Sequence, residues 1–165
     1  MKPLNQYIKE KLIINKDYVD VNMLTPKSFD ELRKIIEDRY EKLGYGTKRH
    51  PINFNDIDVS NLDSFCNDKC KGIFQGIKFK YIDITYWDVS NIESMRCMFF
   101  RCEALKSVGD ISVWNVSKVN DMSYMFAFCK KFNQDLSKWD VSKVRYKIDM
   151  FDNCSIKEEY KPKFK

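Results

Sequence analysis

Histidine is almost missing from this chain: the 165 residues contain one, His50, between Arg49 and Pro51. A Ser-His-Asp or Cys-His arrangement would have to use it, and nothing around it supplies a catalytic partner. Glycine and proline are scarce too, at 5 and 4. The pair Gly72-x-x-x-Gly76 is not followed by Lys-Ser or Lys-Thr, so a phosphate-binding loop is excluded. No apolar run approaches the ~20 residues that a membrane-spanning helix requires. The opening Met1-Lys-Pro-Leu-Asn-Gln-Tyr-Ile-Lys-Glu10 breaks its apolar residues with charge, unlike a secretory signal peptide. An intracellular location, the host cytoplasm or a virion if a phage encodes the chain, is the expectation.

Aromatics, by contrast, are plentiful at 15%, beside 44% hydrophobic residues, which argues against a disordered chain. The net charge of +5 is unevenly placed. Residues 1–50 carry 11 basic and 8 acidic side chains, residues 51–156 carry 14 of each, and residues 157–165 carry 4 and 2. The basic excess sits at the ends. Nucleic-acid binding would want a concentrated basic stripe. Its candidates here are Lys9, Lys11, Lys48, Arg49, Lys161 and Lys163.

The middle of the chain repeats itself. Trp87-Asp-Val-Ser-Asn-Ile92 matches Trp114-Asn-Val-Ser-Lys-Val119 and Trp139-Asp-Val-Ser-Lys-Val144. Met98-Phe99, Met125-Phe126 and Met150-Phe151 follow, each with a cysteine three residues on: Cys102, Cys129 and Cys154. The tryptophans are 27 and 25 residues apart. A worn earlier copy begins at Ile57-Asp-Val-Ser60 and carries an insertion around Cys66 and Cys70. Such a unit is too small to bury its own apolar face, so neighbouring units must bury it for one another. Alternation around Asp-Val-Ser predicts a short strand, and Val119, Met122, Met125 and Phe126 fall at helical spacing. The fold class expected is α/β, a short right-handed leucine-rich-repeat-like solenoid of about 3.5 coils with an N-terminal helical cap.

The unit from Met125 to Val144, with Phe132-Asn-Gln-Asp-Leu-Ser-Lys-Trp-Asp-Val-Ser142 at its centre, resembles the repeat of the BspA-like leucine-rich-repeat proteins. That repeat was first catalogued as a Mycoplasma domain of unknown function. The resemblance covers residues 55–155. It implies repeats that act as protein-interaction surfaces. The opening Leu4 to Lys16, with Asn55 to Ser60, also resembles N-termini of proteins from gut bacteriophages and their bacterial hosts.

Three regions follow: an N-terminal helical region over 1–50, the repeat region over 51–156 and a basic tail over 157–165. Ser28 and Glu31 form a capping box for a helix that Gly44 stops, with Leu32, Ile35, Ile36, Tyr40 and Leu43 along one stripe. A first amphipathic helix is predicted from about Leu4 to Ile14, as part of the cap or as a docking peptide.

Residues that recur once per unit serve the stack. Cys102, Cys129 and Cys154 are expected as reduced, buried rungs, and Trp87, Trp114 and Trp139 as a buried aromatic ladder. Asp58, Asp88 and Asp140 recur before Val-Ser, which suits turn amides rather than catalysis. Cys66 and Cys70 are too loosely spaced for a zinc knuckle, and a metal or redox role for them stays open as a minor alternative. No catalytic residue, metal or cofactor is assigned, and an enzyme is not expected. Positions that vary between units are free to recognise. Asn61, Asn91, Lys118 and Lys143 form one such register, and Asp63, Glu93, Asn120 and Arg145 another. Asn91, Glu93, Lys118, Asn120, Lys143 and Arg145 are the candidate partner-binding residues, with Tyr86, Tyr124 or Phe128 as aromatic anchors.

The function expected is non-enzymatic protein binding. A phage-encoded inhibitor that covers a bacterial defence protein is a second reading, and nucleic-acid binding through the basic ends a third. The open C-terminal end offers a further contact, a second copy stacked end to end.

Overall fold

Ser28 is extended, and its hydroxyl accepts from the Glu31 amide at 3.3 Å, which starts helix α1 at Phe29–Leu43. The capping box is only half formed. The Glu31 carboxylate reaches past Ser28 and accepts from the Lys27 amide at 2.8 Å. Asp30 and Glu31 in the first turn and Lys42 in the last suit the helix dipole. Gly44 ends the helix with φ +71°, and its N–H bonds the Tyr40 carbonyl at 2.8 Å. The stripe buries Leu32 and Ile36 fully, whereas Leu43 lies in solvent. The computed structural model describes residues 23–164. The predicted first helix from Leu4 to Ile14 lies outside the described residues.

The expected α/β solenoid is not what forms. Among the described residues the regular structure is α1, a parallel pair of two-residue strands, β1 (Ile52–Asn53) and β2 (Ile82–Asp83), and a 3-10 turn at Glu158–Tyr160. The predicted strand at Asp-Val-Ser is a turn. Ser90 and Ser142 donate their backbone N–H to Oδ1 of Asp88 and Asp140 at 3.0 and 3.1 Å, and Ser117 does so to Asn115 at 3.2 Å. Amides three residues on then close the turn, as Ile92 does on Val89 at 3.0 Å. These local bonds bend the backbone where strand pairing would need it extended.

The predicted helical turn fails for a different reason. Cys97, Tyr124 and Asp149 hold φ of +55°, +58° and +48°. Four residues later, Arg101, Phe128 and Asn153 hold +59°, +61° and +49°. Left-handed residues at that spacing stop a right-handed helix, at a cost of roughly 1–2 kcal/mol each. What replaces the helix is a row in which alternate amides do different work. Met98, Phe100 and Cys102 donate back to the carbonyls three residues earlier. Cys97, Phe99 and Arg101 donate sideways to Ser123, Met125 and Ala127, at 3.0, 2.9 and 2.9 Å. The next segment repeats this, with Tyr124, Phe126 and Phe128 donating to Ile148, Met150 and Asp152. Single parallel bridges Ser64↔Ser94, Ser94↔Asp121 and Asp121↔Tyr146 keep these segments in register.

The register stacks like on like. Phe74, Phe99, Phe126 and Phe151 form a column with ring centroids 5.3, 5.2 and 5.9 Å apart. Beside it, the Cys102 and Cys129 thiols donate to the carbonyls of Phe74 and Phe99 at 3.0 and 3.1 Å. Cys154 is half-buried, 3.9 Å from the Phe132 carbonyl. The tryptophan ladder is incomplete. Trp114 and Trp139 stack at 6.3 Å, but Trp87 lies against Phe74 and Phe65 instead. Its indole N–H donates to the Phe54 carbonyl at 2.8 Å, as that of Trp139 does to the Ile111 carbonyl at 2.8 Å. The tail after residue 156 packs on the stack. Tyr160 gives its carbonyl to the Leu136 amide at 2.8 Å, and Pro162 is buried.

Helix α1 is fastened by two arginines. Arg39 grips Asp56 with two 2.6 Å bonds. Arg33 is 9% exposed, and its guanidinium donates to the carbonyls of Gly72, Ile73 and Gln75 at 3.1, 2.8 and 3.2 Å. Gly72 itself is pressed on the next segment. A Cβ there would lie 1.9 Å from the Cys97 carbonyl oxygen.

Two predictions follow from these contacts. Arg33→Ala strips three carbonyls of their donor and should lower unfolding stability in urea by about 1–3 kcal/mol. The second concerns pH. Burial pushes the Cys102 thiol up to about 12 from its ordinary 9.0. The folded chain therefore keeps a proton that the unfolded chain releases. That stabilisation is complete below pH 9 and drains away as pH climbs toward about 12. Between those values the wild type should lose stability more steeply than Cys102→Ala, by at most about 1.4 kcal/mol per pH unit.

Candidate functional site

The turns after Asp-Val-Ser end on backbone that bonds its neighbours. Asn120 donates to the Glu93 carbonyl and Arg145 to the Asn120 carbonyl, both at 2.8 Å, and Glu93 donates to the Asp63 carbonyl at 2.7 Å. One residue from each of four segments is thus set at a common height. The backbone forces the juxtaposition, so side chains far apart in sequence share a surface.

That surface is a groove of about 710 Å³. Glu93, Lys118, Asn120, Lys143 and Arg145 line it, joined by Tyr146. Five of the six residues predicted from the varying registers meet there. Asn91 stands behind the groove: its side-chain amide bonds the Ser60 carbonyl at 3.0 Å, and its oxygen accepts from Lys118 Nζ at 2.8 Å. Lys118 is thereby held by a neutral partner, and among the described residues it forms no ion pair. Among the described residues neither Lys143 nor Arg145 forms an ion pair. Three cations face one carboxylate, Glu93.

The predicted aromatic anchors are placed elsewhere. Tyr124 and Phe128 are half-buried in a cluster with Phe100, at 6.2 and 5.8 Å between ring centroids. Arg96 lies over Tyr124 at 5.4 Å, and Arg101 over Phe128 at 5.5 Å. Tyr86 is exposed but lies outside the groove. The aromatic that does line it, Tyr146, is 57% exposed. It escaped notice because its column is polar in the other units, as Ser94 and Asp121.

A second recess of about 620 Å³ lies where α1 meets the insertion, lined by Ser28, Phe29, Cys66, Cys70 and Arg96 among others. Asn67 shapes the insertion, its side-chain oxygen accepting from the amides of Lys69 and Lys71 at 3.1 and 2.9 Å. Burial pushes the Cys66 thiol up to about 12, and that of Cys97 upward as well. Both are thus held protonated at neutral pH, which suits packing rather than nucleophilic attack. All six cysteines are free thiols. Among the described residues no group of three or more His, Cys, Asp or Glu side chains is placed to hold a metal ion. No helix among them is long and apolar enough to cross a membrane.

No curated protein and no solved structure matches this chain. A family model does. Described as "Mycoplasma protein of unknown function, DUF285", it matches residues 68–161, which take in the end of the insertion, the phenylalanine column and the whole groove. With more than half of its length matched, the chain belongs to that family.

Proposed function

We propose that the protein is a non-enzymatic protein-binding module whose binding face is the groove over Lys118, Lys143 and Arg145. The observation that carries this reading is the origin of the lining. Three successive units each contribute side chains to one recess, at the positions that vary between units. The recurring positions are spent on turns and core. The varying ones are left facing solvent and carry a net positive charge. The Trp-Asp-Val-Ser repeat supports the same reading, because it resembles BspA-like proteins whose repeats act as interaction surfaces. A phage-encoded inhibitor that covers a defence protein would use this face in the same way, with a narrower choice of partner.

Nucleic-acid binding through the basic ends gains no support from the geometry. Lys161 is engaged by Glu158 at 2.6 Å. Lys9 and Lys11 lie outside the described residues. The cationic groove itself holds Glu93, which would repel a phosphate backbone.

The test uses the full chain as bait in affinity purification from the cells that make it, scored by mass spectrometry. The Lys143→Glu/Arg145→Glu double variant is exposed at both positions and should keep the wild-type unfolding midpoint. It should lose at least about 10-fold of the principal partner's recovery. Equal recovery by the folded variant would remove the groove from the binding role.

A further inference from the structure

The sideways amide row has two ends, and they differ. At the first end its acceptors are taken. The carbonyls of Ile73 and Gln75 occupy the places that Met98 and Phe100 hold one unit later, and Arg33 donates to both. At the other end its donors are spare. Lys147, Asp149, Phe151 and Asn153 stand where Met122, Tyr124, Phe126 and Phe128 stand one unit earlier. Those four earlier amides donate to Tyr146, Ile148, Met150 and Asp152. The four later amides have no acceptor among the described residues. The backbone conformation that aims them is nevertheless kept, with Asp149 and Asn153 left-handed like their counterparts. The last segment is therefore built as a donor row whose partner strand is missing.

We propose that this edge receives an extended, acidic segment of another protein, whose alternate carbonyls accept from the amides of Lys147, Asp149 and Asn153 and continue the ladder by one rung. The proposal rests on the protein-binding reading above and names the kind of partner. Charge selects the acidic sequence. Lys143, Arg145 and Lys147 crowd the entry of the edge beside the groove, and Asp149 and Asp152 lie further along. A segment with carboxylates at one end and neutral or basic residues at the other fits that order. Tyr146 and Ile148, 57% and 55% exposed, give such a segment apolar contact between the charges. The tail runs beside this edge, with Lys161 Nζ 5.8 Å from the Phe151 ring and Lys147 Nζ 4.5 Å from the Phe164 ring, so the segment lies alongside it. A second copy of this chain is a poor occupant, because Arg33 holds the carbonyls that its first segment would have to offer.

The experiment selects short linear peptides from a random display library on the full chain, then synthesises the enriched sequences. Hydrogen exchange of each backbone amide is read with and without them. The expected result is a set of acidic peptides that slow exchange at Lys147, Asp149 and Asn153 by at least about 10-fold. The same peptides should bind Lys143→Glu/Arg145→Glu at least about 10-fold more weakly. Peptides that need Lys143 and Arg145 but leave those amides exchanging freely would overturn the edge proposal and leave the groove reading standing. Enriched peptides that are neutral or basic would overturn the acidic assignment. So would a single-stranded oligonucleotide that slows the same amides more than any peptide. Slowing that rises with the concentration of the chain alone would make a second copy the occupant. A library that yields no binder would remove both readings together.

Discussion

Everything in this protein hangs on one backbone arrangement: alternate amides turn inward to make local turns while the others reach sideways to the neighbouring segment. In an α-helix every interior amide bonds within its own chain, and in a strand amides bond outward. Here the two uses interleave, and a left-handed residue every fourth position makes that geometry possible. The conformational cost at Cys97, Arg101, Tyr124 and Phe128 is recovered because no sideways amide is left without an acceptor until the last segment. Fixed register then does the rest. It lays phenylalanine on phenylalanine at about 5 Å and seats buried thiols on carbonyls. It also gathers the groove residues from separate units.

The same arrangement explains why one end of the structure is closed and the other open. A row of donors and acceptors has a direction. Its acceptor end needs a donor, and Arg33 supplies several from a single guanidinium planted in α1. Its donor end needs carbonyls, which a short side chain cannot offer in series. The tail covers part of that end with Tyr160, Pro162 and Phe164, the last lying 4.5 Å from Lys147 Nζ, while residues 145–149 stay exposed. The groove and the free edge are thus neighbours because both are produced where the stacking stops.

Much of this was legible in the residues. The repeat announced which side chains are core, and the fate of Cys102, Cys129 and the phenylalanines follows from their recurrence. Asp before Val-Ser pointed to turns, as Asp88 and Asp140 show. The varying registers located five of the groove residues. What stayed hidden is backbone conformation. Left-handed positions usually declare themselves through glycine, but Gly76 alone marks that register, and Arg101, Phe128 and Asn153 occupy it elsewhere. Apolar spacing over Val119 to Phe126 therefore read as helix, and Val-Ser alternation as strand. Nothing in the local pattern singles out Arg33, since its acceptors lie about 40 residues away and belong to the backbone. Trp87 repeats the sequence position of Trp114 and Trp139 yet meets the longer first unit, which no local pattern reveals.

Nuclear magnetic resonance couplings transmitted through hydrogen bonds test the amide row most directly. They connect the nitrogen of each donor to the carbonyl carbon of its acceptor. The arrangement described here requires couplings from Cys97 to Ser123, Phe99 to Met125, Tyr124 to Ile148 and Phe126 to Met150. Couplings from those same amides to carbonyls four residues earlier in their own segments would mean a helix, and would contradict it.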